Sequence, residues 1–179
     1  MKKNIILFLL IAAAAAAFVL FADIQSVDEY YLSHIDDIKE GDPTVFLTIR
    51  CDTVLDNYDK LRQALRSPEY VPEDGVILAR TEYVLRDGDT VFDILERAAR
   101  HNRIQLEHHG TAAVYIKSIN HLYEFDCGPL SGWIYKVNGG FPSGDCSSYV
   151  LSDKDEVEWV YTCDLGQDVG RGYTEEAAP

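Results

Sequence analysis

Four cysteines, Cys51, Cys127, Cys146 and Cys163, are the side chains with the widest chemical reach in this 179-residue chain. A cysteine can act as a nucleophile, a metal ligand or half of a disulfide, and spacing helps to separate these roles. Zinc-type sites favour close pairs with two residues between ligands, and no such pair exists here. A thiol nucleophile needs a base. His101, His108, His109 and His121 are available, yet no recognisable signature surrounds Cys127 or Cys146. The even number therefore reads as two structural disulfides, with three connectivities open from sequence alone.

Other residues with chemical potential are read against plainer roles. Trp133, Tyr135 and Phe141 lie on or beside Asn138-Gly139-Gly140 and offer either a flat surface to a ring-shaped ligand, glycan or partner, or ordinary packing beneath a sheet. Asn138 is a turn former whose surroundings can touch a ligand. These four form the candidate ligand-binding set. His108-His109 suits a solvated strand end better than a metal site. Asp164, Gly166, Asp168 and Gly170 do not keep the EF-hand spacing. Nucleophile-elbow, phosphate-loop and zinc-protease motifs are all missing, and no acidic pair stands out. The chain is read as non-enzymatic, with no catalytic residues and no metal.

Charge and the amino terminus bound the setting. Thirty acidic against sixteen basic side chains give a net charge of −14, a field that repels phosphate backbones and argues against nucleic acid as a partner. Lys2 and Lys3 precede an apolar run from Ile5 to Phe21. Residues 1–22 are read as an export signal that is either cleaved or kept as a membrane anchor. As a helix the run would be about 26 Å long, at the low end for a span. Either way the remainder faces outward, secreted or anchored to the plasma membrane.

The elements that must position the candidate residues follow from periodicity. Residues 23–42 read as an acidic stalk, 43–170 as the folded domain and 171–179 as a flexible tail. Val45, Leu47, Ile49 and Cys51 alternate with polar or outward positions and predict a strand. Residues 52–75 read as an excursion with a short helix over 56–64. An extended stretch over 76–86 follows. Val91, Ile94, Leu95, Ala98 and Ala99 then form one helical stripe, capped by Asp89 or Thr90. Asp93 with Arg97, and Glu96 with Arg100, are expected as ion pairs on its wet face. Extended runs are expected over 104–108, 113–119, 122–125, 133–138 and 156–163, with a hairpin turn at Asn138-Gly139-Gly140. The class is α+β: one mixed sheet packed against one main helix.

Parity chooses among the cysteine pairings. Val45-Leu47-Ile49-Cys51 and Val157-Trp159-Tyr161-Cys163 each place a cysteine six residues after the first inward position. If the first and last strands are parallel neighbours, the sulfurs meet as Cys51–Cys163, which leaves Cys127–Cys146 to staple the base of the hairpin.

The ordered series Gly88-Asp89-Thr90-Val91-Phe92-Asp93-Ile94-Leu95, Leu122-Tyr123-Glu124-Phe125, Ser131 to Gly139 and Val157 to Thr162 with Asp164-Leu165-Gly166 resembles a bacterial extracytoplasmic family of unknown function. That family is similar to the C-terminal domain of transcobalamin and intrinsic factor. The resemblance implies a β-grasp-like domain over about residues 43–170, with parallel central first and last strands. It also implies a binding role, for a corrinoid-like small molecule or an envelope protein. No resident cofactor is expected, and a cobalamin-like ligand rests on the resemblance alone. A structural or adhesive surface component without a small-molecule ligand is the alternative. Asp153-Lys154-Asp155 stands where the family pattern suggests Asp-Gly-Asp.

Overall fold

The computed structural model describes residues 37–111 and 113–172. The expected export segment, most of the expected acidic stalk and nearly all of the expected tail lie outside the described residues. Among the described residues the domain has seven strands and one main helix: β1 (Thr44–Arg50), β2 (Val76–Val84), α1 (Val91–His101), β3 (Leu106–His109), β4 (Tyr115–Ile119), β5 (Leu122–Tyr123), β6 (Gly132–Val137) and β7 (Glu156–Thr162).

Strand alternation decides the main sheet. In β1, Val45, Leu47 and Ile49 are fully buried, while Phe46, Thr48 and Arg50 are half-buried on the other face. On that second face Arg50 meets Asp52 at 2.7 Å and Glu158 at 3.4 Å, and Arg80 meets Glu156 at 2.8 Å. One face is thus apolar and the other charged, as period two requires for a sheet covered on one side. The sheet order is β2-β1-β7-β6, and the first and last strands are parallel neighbours at its centre. The single mixed sheet expected from sequence is in fact two, because β3, β4 and β5 form a separate three-stranded antiparallel sheet. Its tight β4–β5 turn holds Asn120 and His121 at φ 54° and 64°, a left-handed pair that matches strand twist. Asn120 Nδ2 donates to the Glu69 and Tyr70 carbonyls, at 3.1 and 3.0 Å, and anchors this turn on the excursion.

Helix α1 follows its sequence signals closely. Thr90 caps it: its hydroxyl accepts from the Asp93 amide at 3.3 Å, and the Asp93 carboxylate accepts from the Thr90 amide at 2.9 Å. Val91, Ile94, Leu95 and Ala98 enter the core beside Val45, Leu47 and Ile49. The expected Asp93–Arg97 surface pair is corrected. Asp93 is committed to the cap, and Arg97 is buried, with Nη2 donating to Asp89 at 2.8 Å and to the Val84 carbonyl at 2.7 Å. Glu96 and Arg100 do pair, at 3.5 Å.

The excursion holds no α-helix. Two short 3-10 turns, Asp52–Asn57 and Gln63–Leu65, replace the helix expected over 56–64. Side chains here compete with helical bonding: Asn57 Nδ2 takes the Thr53 carbonyl at 2.9 Å, while Thr53 Oγ1 donates to the Tyr161 carbonyl at 2.6 Å. Leu61 and Val71 plug this segment into the core. Gly75 closes it, its carbonyl accepting from Cys51 at 2.7 Å. At φ 70°, with an added Cβ 2.4 Å from the Asp52 Cα, that position requires glycine.

Asn138 and Gly139 form the expected tight turn, with φ 51° and 77° and reciprocal bonds between Val137 and Gly140. No returning strand follows it, since β6 pairs with β7 instead. After Pro142 the chain crosses to the helix start, where Val91 and Phe92 donate to the Tyr149 and Cys146 carbonyls. Lys154 takes the left-handed conformation of the glycine expected there, φ 66°, and its ammonium reaches Thr44 Oγ1 at 2.6 Å.

The four cysteines are buried and free, so neither predicted bridge is seen. Parity held, but register did not. Leu47 lies opposite Val157 and Ile49 opposite Trp159, so β1 is slipped by two residues from the alignment that would bring Cys51 to Cys163. Both project inward, one pleat apart. Cys146 lies elsewhere, its thiol against the Val114 carbonyl at 3.5 Å, and not beside Cys127, whose sulfur reaches the Asn57 carbonyl at 3.5 Å.

Candidate functional site

β6 is an edge strand of the main sheet, and its neighbour is β7. The inward residues of the two strands stand opposite each other: Trp133 with Tyr161, Tyr135 with Trp159, Val137 with Val157. The ring pairs are an edge-on contact at 5.2 Å between centroids and a tilted one at 5.5 Å, the geometries aromatic quadrupoles favour. Beside this ladder lies a cavity of about 300 Å³. Trp133, Tyr135 and Trp159 line it from the main sheet, Tyr115 and Ile116 from the second sheet with Val114 just before it, and Phe141 and Cys146 from the segment after the turn.

Three of the four candidate ligand residues, Trp133, Tyr135 and Phe141, therefore meet at one cavity. Asn138 is not among its lining residues. It is used at the turn, where Nδ2 donates to Asp155 at 2.8 Å and Oδ1 accepts from the Glu156 amide at 2.9 Å. Trp159 was not singled out from sequence as a ligand residue, because an aromatic inward position on a strand signals only core.

The polar groups at the cavity are in distinct states. Trp133 Nε1 donates to the Leu122 carbonyl at 2.8 Å, and the Tyr135 hydroxyl to the Gly144 carbonyl at 3.1 Å. Trp159 is 2% exposed, and its indole N–H has no acceptor. A buried donor without a partner carries a desolvation penalty of about 1–3 kcal/mol. Burial pushes the Cys146 thiol up to about 12, with the Asp145 carboxylate adding to the effect, so it stays protonated at neutral pH. Asp145 itself is held down to about 2, first by the Ser147 hydroxyl and further by Ser148 and the Ser147 amide. Burial, first, and the Asp145 carboxylate raise the Tyr135 hydroxyl. Arg171 lines the rim, and Lys136 and Arg171 stand over the Phe141 ring at 5.2 and 6.0 Å.

The remaining sequence candidates have structural partners. His108 meets Phe92 edge-on at 4.7 Å, His109 lies against Tyr115 and His121 against Tyr70. Asp168 accepts from the Cys163 amide at 2.7 Å and from the Thr162 hydroxyl, which fixes the turn after β7. Among the described residues there is no cluster of three or more metal-binding side chains, and no helix is long and apolar enough to cross a membrane.

The segment from just before α1 to Cys163 carries the cap, the helix and the aromatic ladder. Residues 88–163 match the family model of a domain of unknown function, DUF4430. The motifs that carried the family resemblance lie largely within this match. No curated protein matches the chain. Among solved structures it is similar to haptocorrin, crystallised in complex with Cbi, at 14% identity and a TM-score of 0.46 over 72% of this chain. The chain spans about a quarter of haptocorrin's length, 27%. It is also similar to a protein of Ruminococcus gnavus ATCC 29149 described as a candidate metal-binding protein, at 13% identity and a TM-score of 0.41, over 67% of this chain and 96% of that one.

Proposed function

We propose that the DUF4430-containing domain is a non-enzymatic extracytoplasmic binding module whose aromatic cavity holds a small planar molecule, or one planar arm of a larger one, bearing a hydrogen-bond acceptor. The unpartnered indole N–H of Trp159 carries this reading. A cavity walled by Trp133, Tyr135, Phe141 and Trp159 supplies stacking surface, and an acceptor on the occupant would partner the buried Trp159 indole N–H once its ring turns toward the cavity. The protonated thiol of Cys146 and the fully ionised Asp145 favour recognition over nucleophilic or acid–base chemistry. The parallel β1–β7 centre supports a β-grasp-like description of the sheet. About 300 Å³ is the lower end of small-molecule sites, so a cobalamin-like ligand would enter by an edge or an arm rather than be enclosed.

Calorimetric titration of the domain with quinoline, nicotinate, indole and cyanocobalamin tests the proposal. Binding of at least one probe is expected, weakened about tenfold by Trp159→Phe, the equivalent of one hydrogen bond. Equal affinity in that variant, or no binding by any probe, contradicts it.

A further inference from the structure

A second cavity, of about 400 Å³ and more polar in character, opens at the far end of β7. Asn57, Lys60, Asp164 and Asp168 line it, together with Cys127 and Cys163. The loop after β5 brings Cys127 here, and the end of β7 brings Cys163. Cys163 Sγ lies 3.8 Å from Thr53 Oγ1 and Cys127 Sγ lies 3.5 Å from the Asn57 carbonyl, and Asn57 Nδ2 bonds the Thr53 carbonyl at 2.9 Å, so both sulfurs sit against one short turn at one cavity. The other two cysteines do not line this cavity. Cys51 is set back from Cys163 by the two-residue slip between β1 and β7, and Cys146 lines the aromatic cavity against Val114.

We propose that Cys127 and Cys163 form a disulfide in the mature domain, and that Cys51 and Cys146 remain thiols. The two sulfurs bond to each other as each loses its hydrogen. The two electrons and two protons go to a disulfide oxidant of the glutathione class, which is cleaved to two thiols. Cys127 is fully buried in the finished fold, so exchange belongs to the stage of folding at which the β5–β6 loop docks on β7. In the finished fold the neighbouring Cys163 thiol, first, and Lys60 hold the Cys127 thiol below the ordinary range against the opposing effect of burial, and the thiolate is the attacking form. The bond would tie the exit of the three-stranded sheet to a central strand of the four-stranded one. It does not depend on any ligand in the aromatic cavity.

The test is to refold the full chain in mixed oxidised and reduced glutathione, alkylate it under denaturing conditions and digest it without reductant. The expected result is one linked peptide pair joining Cys127 to Cys163, with alkylated Cys51 and Cys146 and a thermal midpoint that falls on reduction. The Cys51→Ser/Cys146→Ser double variant should keep both the link and the fall. A link to Cys51 or Cys146, four alkylated cysteines, or loss of the link in the double variant overturns the pairing.

Discussion

At the residue scale, the groups around the aromatic cavity have states set by the surrounding packing. Cys146 illustrates this: burial holds its folded pKa above the unfolded value, so its contribution to stability is complete below the ordinary thiol range and is lost as pH rises through about 12. Native-state alkylation of Cys146 by iodoacetamide should therefore be slow at pH 8, and much faster once the chain is unfolded in urea. Rapid native labelling would show an accessible thiolate instead. Asp145 runs the other way. Its folded pKa is depressed, so its contribution is present above the ordinary carboxylate range and is lost as pH falls through about 2. Ser147→Ala should move the Asp145 titration up toward ordinary carboxylates, which carbon-detected NMR can follow. Little of this was legible in the sequence. Trp133, Tyr135 and Phe141 stood out because they flank a recognisable turn, whereas the value of Trp159 lies in a bond it does not make, and only three-dimensional packing shows that.

At the element scale, local signals were read well and pairings between elements less well. The α1 stripe, its Thr90 cap and the alternation of β1 and β7 were all visible, since each is a property of one segment. Register is a property of two: alternation fixed which face Cys51 and Cys163 share but could not exclude a slip of two residues, which preserves that face. Arg97 was placed on the wet face of α1 by spacing alone, because its partner Asp89 precedes the helix. Two substitutions separate these roles. Arg97→Leu leaves the buried Asp89 carboxylate without its guanidinium and should cost about 3 kcal/mol in urea unfolding. Arg100→Ala breaks only the exposed pair with Glu96 and should cost no more than about 0.5 kcal/mol. Thr90→Ala, which removes the cap, should fall between them at about 1 kcal/mol. Equal losses for Arg97 and Arg100 would mean that Arg97 is solvated in solution.

At the scale of the whole molecule, the sequence pointed to a single sheet, and the chain builds two. The division bears on the proposed site because the aromatic cavity is lined by β6 and β7 of one sheet and by β4 of the other. Sequence could not reveal this, since short strands separated by Gly, Asn and Ser read alike whether they join one sheet or start another. We propose that residues 1–22 act as an export signal or membrane anchor, and the mass of the protein isolated from its host distinguishes a cleaved segment from a retained one. The most direct test of the binding site is the indole N–H spectrum of ¹⁵N-labelled domain, titrated with quinoline, nicotinate, indole and cyanocobalamin. The chain has two tryptophans. With at least one probe the Trp159 resonance should move strongly while that of Trp133, already bonded to Leu122, stays nearly fixed. A Trp159 resonance unmoved by every probe, or one that already shows a strong hydrogen bond in the free protein, would contradict a site built around an unsatisfied donor.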